Sequence, residues 1–184
     1  EKLLINANLI QTLRYGENPH QSGAIYSNNQ NFKIKQLSGK NLSYNNYNDI
    51  FACLNLTKTL PRNRGVVIVK HANPSGVSIE KDHLKSYKSA INCDPISAFG
   101  GVVAFNFKLN LKIAKEIMKN YYEVIVANGF DIKALRLLKQ KKNLRLIDSS
   151  EIREKQNYKV FSGFDSFLMQ TKDNLDFDIK NFKI

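Results

Sequence analysis

A lysine and a histidine stand side by side at the end of an apolar run, in Val66-Val-Ile-Val-Lys70-His71-Ala-Asn73-Pro74-Ser-Gly76. An ammonium beside an imidazole can hold developing negative charge while a proton is being taken up. The run before them has the pattern of a strand buried on both faces. Ligands of open α/β sheets gather beyond the carboxyl ends of such strands, so both groups are expected where chemistry is usually done. In an extended chain neighbouring side chains point to opposite faces. The pair can therefore serve one reaction only if the backbone turns at His71. Asn73-Pro74-Ser-Gly76 supplies turn formers, and Pro74 biases Asn73 away from helix. On residue types alone, a strand-capping Lys and a hydrogen-bonded surface His are the plainer reading.

The elements that must position this pair alternate along the chain. Residues 1–22 read as an irregular, polar N-terminal segment, and 23–184 as one α/β layered domain. Extended segments are expected at Gly23–Tyr26 and Phe32–Leu37, and a helix at Asn48–Leu60 with Ile50, Leu54 and Leu56 near one face and Pro61 as its stop. After strand Val66–Lys70, the sequence predicts helix Asp82–Ile91, strand Gly100–Phe105, helix Leu111–Asn120, strand Glu123–Ala127, helix Asp131–Gln140 and strand Leu144–Ile147. Strands alternating with short helices predict βαβ units and a three-layer α/β/α fold with a mostly parallel central sheet. Tyr158–Phe161 and Ser166–Gln170 read as a C-terminal β-hairpin.

Composition narrows the function classes. The 184 residues can bury a real core, and no apolar run approaches the ~20 residues that span a bilayer. Cys53 and Cys93 are too few for a disulfide framework and lack zinc-site spacing, as small apolar residues of a cytoplasmic protein would. The histidines, His20, His71 and His83, show no metal-ligand spacing, so no metal is expected. The net charge of +12 admits a polyanion-binding module. However, 22 Lys against 6 Arg, with 22 Asn, is the bias an AT-rich genome imposes on solvated surfaces, and no nucleic-acid motif accompanies it. A start without Met, at Glu1, and an end within Phe177–Ile184 suggest an excerpt of a longer protein.

Four segments look too specific for connectors: Leu13-Arg-Tyr-Gly-Glu-Asn-Pro-His-Gln21, Leu42-Ser-Tyr-Asn-Asn-Tyr-Asn-Asp49, Lys70-His-Ala-Asn-Pro-Ser-Gly76 and Asp94-Pro-Ile-Ser-Ala-Phe-Gly-Gly101. Together, and in this order, they resemble the transformylase part of the bifunctional aminoimidazole carboxamide ribotide (AICAR) transformylase/IMP cyclohydrolase family, over about Leu13 to Gln170. The resemblance implies a cytidine-deaminase-like α/β/α half-domain without the deaminase zinc, the first of two. It also implies formyl transfer from 10-formyltetrahydrofolate to the 5-amino group of AICAR, in a site completed across a homodimer interface. The cyclohydrolase would precede Glu1, and the half supplying much of the folate site would follow Ile184.

The same resemblance assigns roles. His71 matches the family's proton acceptor and Lys70 its catalytic lysine. Arg14 and Tyr15 occupy positions that contact the ribotide, where a guanidinium can grip phosphate and a phenol can stack or donate a hydrogen bond. Gly100 matches a glycine whose backbone meets substrate, and Glu123 an acidic residue that accepts hydrogen bonds from it. By residue type rather than by the resemblance, His20, Asn73 and Asp94 are expected as supporting residues, Asp94 capping or orienting its loop rather than transferring a proton. Ser75 stands where relatives often carry Cys or Ala, and Gly163-Phe164-Asp165 replaces an expected Gly-Gly pair. The absence of Pro-Cys-x-x-Cys and His-x-Glu signatures opposes a zinc deaminase.

Overall fold

The computed structural model describes residues 2, 4–28, 32, 34–152 and 158–171. In chain order its elements are β1 (Asn8–Leu13), β2 (Gly23–Ser27), β3 (Lys35–Ser38), α1 (Tyr44–Thr59), β4 (Gly65–Lys70), β5 (Asn73–Ile79), α2 (His83–Cys93), α3 (Pro95–Ala98), β6 (Val102–Phe105), α4 (Leu111–Ile117), β7 (Val124–Ala127), α5 (Ile132–Leu138), β8 (Arg145–Asp148), β9 (Tyr158–Gly163) and β10 (Ser166–Thr171). The chain divides into two units, Glu1–Ile152 and Arg153–Ile184. The second contains the expected hairpin, β9 paired antiparallel with β10. Its turn residues Phe164 and Asp165 both have positive φ, so the reversal is made without the expected glycines. The stretch Phe177–Ile184 lies outside the described residues.

Six strands form one sheet in the order β3-β8-β7-β6-β4-β5. The α/β layering agrees with expectation, but only the β6–β7 and β7–β8 pairings are parallel, so the sheet is mixed rather than mostly parallel. The cause is local. Asn73-Pro74-Ser-Gly76, expected as a turn, is the start of β5, which folds straight back on β4 and leaves no room for a crossover helix. Pro74 is tolerated because β5 is an edge strand.

Alternation along the central strands divides the core. Val67, Val69, Val102, Ala104, Val124, Val126 and Ile147 face α1, packing on Tyr47, Ile50 and Cys53. Val66, Ile68, Val103, Phe105, Ile125 and Leu146 face the opposite layer, against Tyr87, Ile113, Ile117 and Leu138 of α2, α4 and α5. Each such fully buried aliphatic side chain stabilises the fold by about 1.5–3 kcal/mol relative to exposure. The α1 stripe is Asn46, Ile50, Cys53 and Thr57, while Leu54 and Leu56, expected on that face, are only partly buried.

Two expectations at the N-terminal side need correction. Residues 1–22 are not wholly irregular, since β1 pairs with β2 and encloses the Arg14–Gln21 loop. Helix α1 begins at Tyr44, not Asn48. Ser43 caps it by accepting the Asn46 N–H, and the Asn46 side chain accepts the Ser43 N–H. This is a capping box with Asn in the place of the usual Glu or Gln. Among the described residues no helix is long and apolar enough to cross a membrane.

Candidate active site

Sheet register decides which segments meet. Val69 of β4 lies opposite Val102, Val102 beside Val124, and Val124 beside Arg145. The carboxyl end of β4 therefore shares a rim with the amino ends of β6, β7 and β8. This rim is thus the carboxyl end of β4 but the amino end of the parallel trio, because β4 runs against them. Ser38, at the far end of β3, pairs with Leu146 and brings the segment leading to α1 to the same edge.

The backbone reversal needed by Lys70 and His71 is present at His71 itself, two residues before the turn formers that begin at Asn73. Lys70 and Asn73 are the last pair of the β4–β5 hairpin, and His71 and Ala72 form its two-residue loop with φ of 52° and 59°. Positive φ at both central positions is the type I′ pattern, usually Asn-Gly, whose twist suits a hairpin. A non-glycine residue in this region costs roughly 1–2 kcal/mol. Such strain persists only where surroundings hold it, and it clusters at functional sites. Here the holding contacts are visible: Asp49 accepts the Ala72 N–H at 2.7 Å, and the Asn73 side chain donates to the His71 carbonyl at 2.9 Å. Ala72→Gly is expected to raise stability by up to about 1 kcal/mol in chemical denaturation, the relief of strain exceeding the added chain entropy. A lower stability would mean that the Ala72 methyl contributes packing that outweighs its backbone strain.

Helix α1 gathers the other segments through successive side chains of its first two turns. The Asn45 amide donates to the Glu17 carbonyl of the Arg14–Gln21 loop at 3.3 Å. Asn46, buried, donates to Glu123 at 2.9 Å, Tyr47 donates to Gln11 of β1 at 3.1 Å, and Asp49 holds the hairpin turn. The fourth segment joins from the other side of β4, where the Lys70 ammonium donates to the Phe99 carbonyl at 2.9 Å. Gly100 follows with φ of 75°, and its N–H donates to the Tyr121 carbonyl at 2.9 Å. Gly101 sits so close to β4 that a Cβ there would lie 2.8 Å from the Val69 carbonyl oxygen. The glycine pair is what lets this loop approach Lys70.

Charges around the rim are mixed. Burial pushes the Asp49 carboxyl above its ordinary range, opposed by the Ala72 N–H and by the nearby His71, while Glu123 raises it further. Hydrogen bonds from Ser97 hold Asp94 below the usual carboxylate range as it caps α3. Glu123 precedes β7, and its N–H donates to the Gly101 carbonyl. Arg145 lies 3.8 Å from its carboxylate and donates from Nε to the Asn41 carbonyl at 3.1 Å. Arg14 is exposed, its guanidinium 5.7 Å from the centre of the Tyr15 ring. His20 is exposed on the same loop, which is closed by bonds of Gly16 and Asn18 to Gln21.

The sequence matches the AICARFT/IMPCHase bienzyme family across residues 1–184. The chain belongs to that family. Among curated relatives it is 40% identical over 178 residues to the bifunctional purine biosynthesis protein PurH of Thermoanaerobacter sp. (strain X514), an overlap covering 95% of this chain and 35% of the relative. It is 42% identical over 180 residues to PurH of Buchnera aphidicola subsp. Schizaphis graminum, covering 94% of this chain and 34% of that one. PurH of Magnetococcus marinus is 44% identical over 145 residues, or 75% of this chain and 27% of its own length. The chain thus spans about a third of the length of these relatives.

Within this AICARFT/IMPCHase segment, the structure brings Lys70, Asn73, Gly100 and Asp94 together around the His71 turn and links Glu123 to them through α1. It connects the Arg14–Tyr15 loop to α1 by backbone rather than through those two side chains. Asn46, Asp49 and Arg145 were not singled out from the sequence. Asn46 and Asp49 lay inside a motif already marked as unusual, the signal that could have found them. Arg145 follows Lys139, Lys141 and Lys142, and among so many basic residues its type gave no signal.

Proposed function

We propose that this chain forms the first half of a transformylase domain that moves a formyl group from 10-formyltetrahydrofolate to the 5-amino group of AICAR, in purine synthesis. One observation carries this reading. Hydrogen bonds connect all four motif segments and Glu123 around a single rim, at the hairpin turn bearing Lys70 and His71.

The acceptor amine is a weak nucleophile, because its lone pair is delocalised into an electron-poor ring. His71, whose side-chain type has an unperturbed pKa of ~6.5, takes its proton as the new N–C bond forms. The formyl oxygen gathers negative charge, and the Lys70 ammonium stabilises it there. As the bond from the formyl carbon to the folate nitrogen breaks, that nitrogen receives a proton and tetrahydrofolate leaves. Arg14 and Tyr15 hold the ribotide, the backbone at Gly100 meets it, and Glu123 accepts its hydrogen bonds. Neither metal nor nucleic acid has a part in this reading.

In the proposal the working site belongs to a longer, homodimeric cytoplasmic protein, in which the remaining half supplies most of the folate pocket. The 184-residue chain, mixed with AICAR and 10-formyltetrahydrofolate, is expected to release tetrahydrofolate at no more than the background rate, whereas the full-length protein turns over. Sustained turnover by the chain alone would refute the half-site reading. Failure of the full-length protein to consume AICAR would refute the function.

A further inference from the structure

The proposed chemistry gives no part to Asp49. Asp49 is a half-buried carboxylate on the second turn of α1, facing the hairpin loop rather than solvent. Its position is set by the packing of the helix, since the next residue, Ile50, and Cys53 one turn on are wholly buried against the sheet. One oxygen accepts the Ala72 N–H at 2.7 Å, a bond to the residue immediately after His71. His71 and Ala72 both hold left-handed backbone conformations that neither residue type prefers. The titratable groups facing Asp49 are His71 on the loop, Glu123 at the head of β7 and Cys53 one turn further along α1. Of these, only His71 can carry a positive charge, and its presence draws the Asp49 carboxyl down against the burial that raises it.

From this geometry we infer that Asp49 is the positioning residue for His71: its carboxylate clamps the left-handed turn that presents the imidazole and stabilises the imidazolium formed as His71 takes the proton. The inference rests on the proposed role of His71. It assigns two separable contributions to one side chain. The acceptor oxygen fixes geometry, and the negative charge tunes the base. Asn in place of Asp keeps an oxygen for the Ala72 N–H and removes only the charge. Glu keeps the charge and displaces it by one methylene, forcing the turn or the carboxylate to move. The two substitutions therefore separate the contributions.

The test uses the full-length protein carrying Asp49→Asn or Asp49→Glu, with kcat and KM for AICAR measured across pH and folding checked by thermal unfolding. For Asp49→Asn the expected result is a kcat about 10–100-fold lower, the range known for metal-bound histidines that lose their orienting partner and taken here as the scale for a positioning contact. KM should stay within about 2-fold, since uniform ground-state binding is untouched. The acidic limb of the kcat/KM profile should move to lower pH, because an imidazole without a neighbouring anion loses its proton more readily. For Asp49→Glu the limb should stay in place while kcat falls, and this arm carries the test if the Asn variant does not fold. Wild-type kcat and an unmoved limb in Asp49→Asn would overturn the inference, as would a raised KM with unchanged kcat or full activity in Asp49→Glu. His71→Ala in the same assay separates the two levels. If it abolishes turnover while Asp49→Asn is normal, only the positioning role fails. If His71→Ala is itself fully active, the reading of the site fails with it.

Discussion

Replacing His71 by Ala in the full-length protein is expected to lower the formyl-transfer rate by about 10²–10⁴-fold, the contribution of a positioned general base. The loss should appear in kcat more than in KM for AICAR, because the imidazole acts on a proton in flight rather than on ground-state contacts. Stability should hardly change or should rise slightly. His71 is exposed, and its replacement removes no core packing. Ala keeps the Cβ that resists a left-handed backbone, so the turn itself is preserved. Stopped-assay measurement of tetrahydrofolate release, with thermal unfolding as a control, checks both expectations. A fall in activity that tracks a fall in melting temperature would point instead to a structural histidine.

The second large effect lies in the scaffold. A Cβ built on Gly76 would lie 2.0 Å from the Ala90 carbonyl oxygen, a backbone atom of α2 that cannot rotate aside. Gly76→Ala must therefore push β5 away from α2 or bend one of them. Overpacking of this kind costs about 1–3 kcal/mol, and the upper end applies where the obstacle is main chain. Because β5 is one arm of the hairpin that carries Lys70 and His71, the displacement should also lower activity in whatever fraction remains folded. Chemical denaturation of the variant measures the first effect and assay of the folded protein the second. An unchanged midpoint would show that the close approach of β5 to α2 is wrong. The same clash explains why a glycine stands in the middle of a strand, where it otherwise weakens pairing.

Much of this was legible in the residues, and the failures have identifiable causes. β4, β6 and β7 were readable because both their faces are covered, which leaves no polar alternation to confuse with a helix. β5 was not, since Asn73, Pro74, Ser75 and Gly76 are turn formers by type. Only its edge position and the close approach to Ala90 make a strand of them. The start of α1 was lost for a related reason: Ser43-Tyr-Asn-Asn46 lacks the Glu or Gln of a familiar capping box, and Asn competes with the helix backbone. β1 was lost because it belongs to a two-stranded ribbon with only Leu13 buried, so tertiary packing leaves little trace in its pattern. At the site, residue types nominated Lys70 and His71 but predicted a turn two residues too late. No propensity scale places His-Ala in a type I′ loop. The holding contacts from Asp49 and Asn73 come from other elements or positions and show only in three dimensions.

The central claim is that an imidazole at a left-handed hairpin turn meets the amine of a bound ribotide at this rim. Its most direct test is a crystal structure of the full-length protein with AICAR bound. The 5-amino nitrogen should lie within about 2.6–3.2 Å of a His71 ring nitrogen, or one water away, with the Arg14 loop closed over the ribotide. A nucleotide bound elsewhere, or seated here with its amine turned away from His71, would contradict the claim.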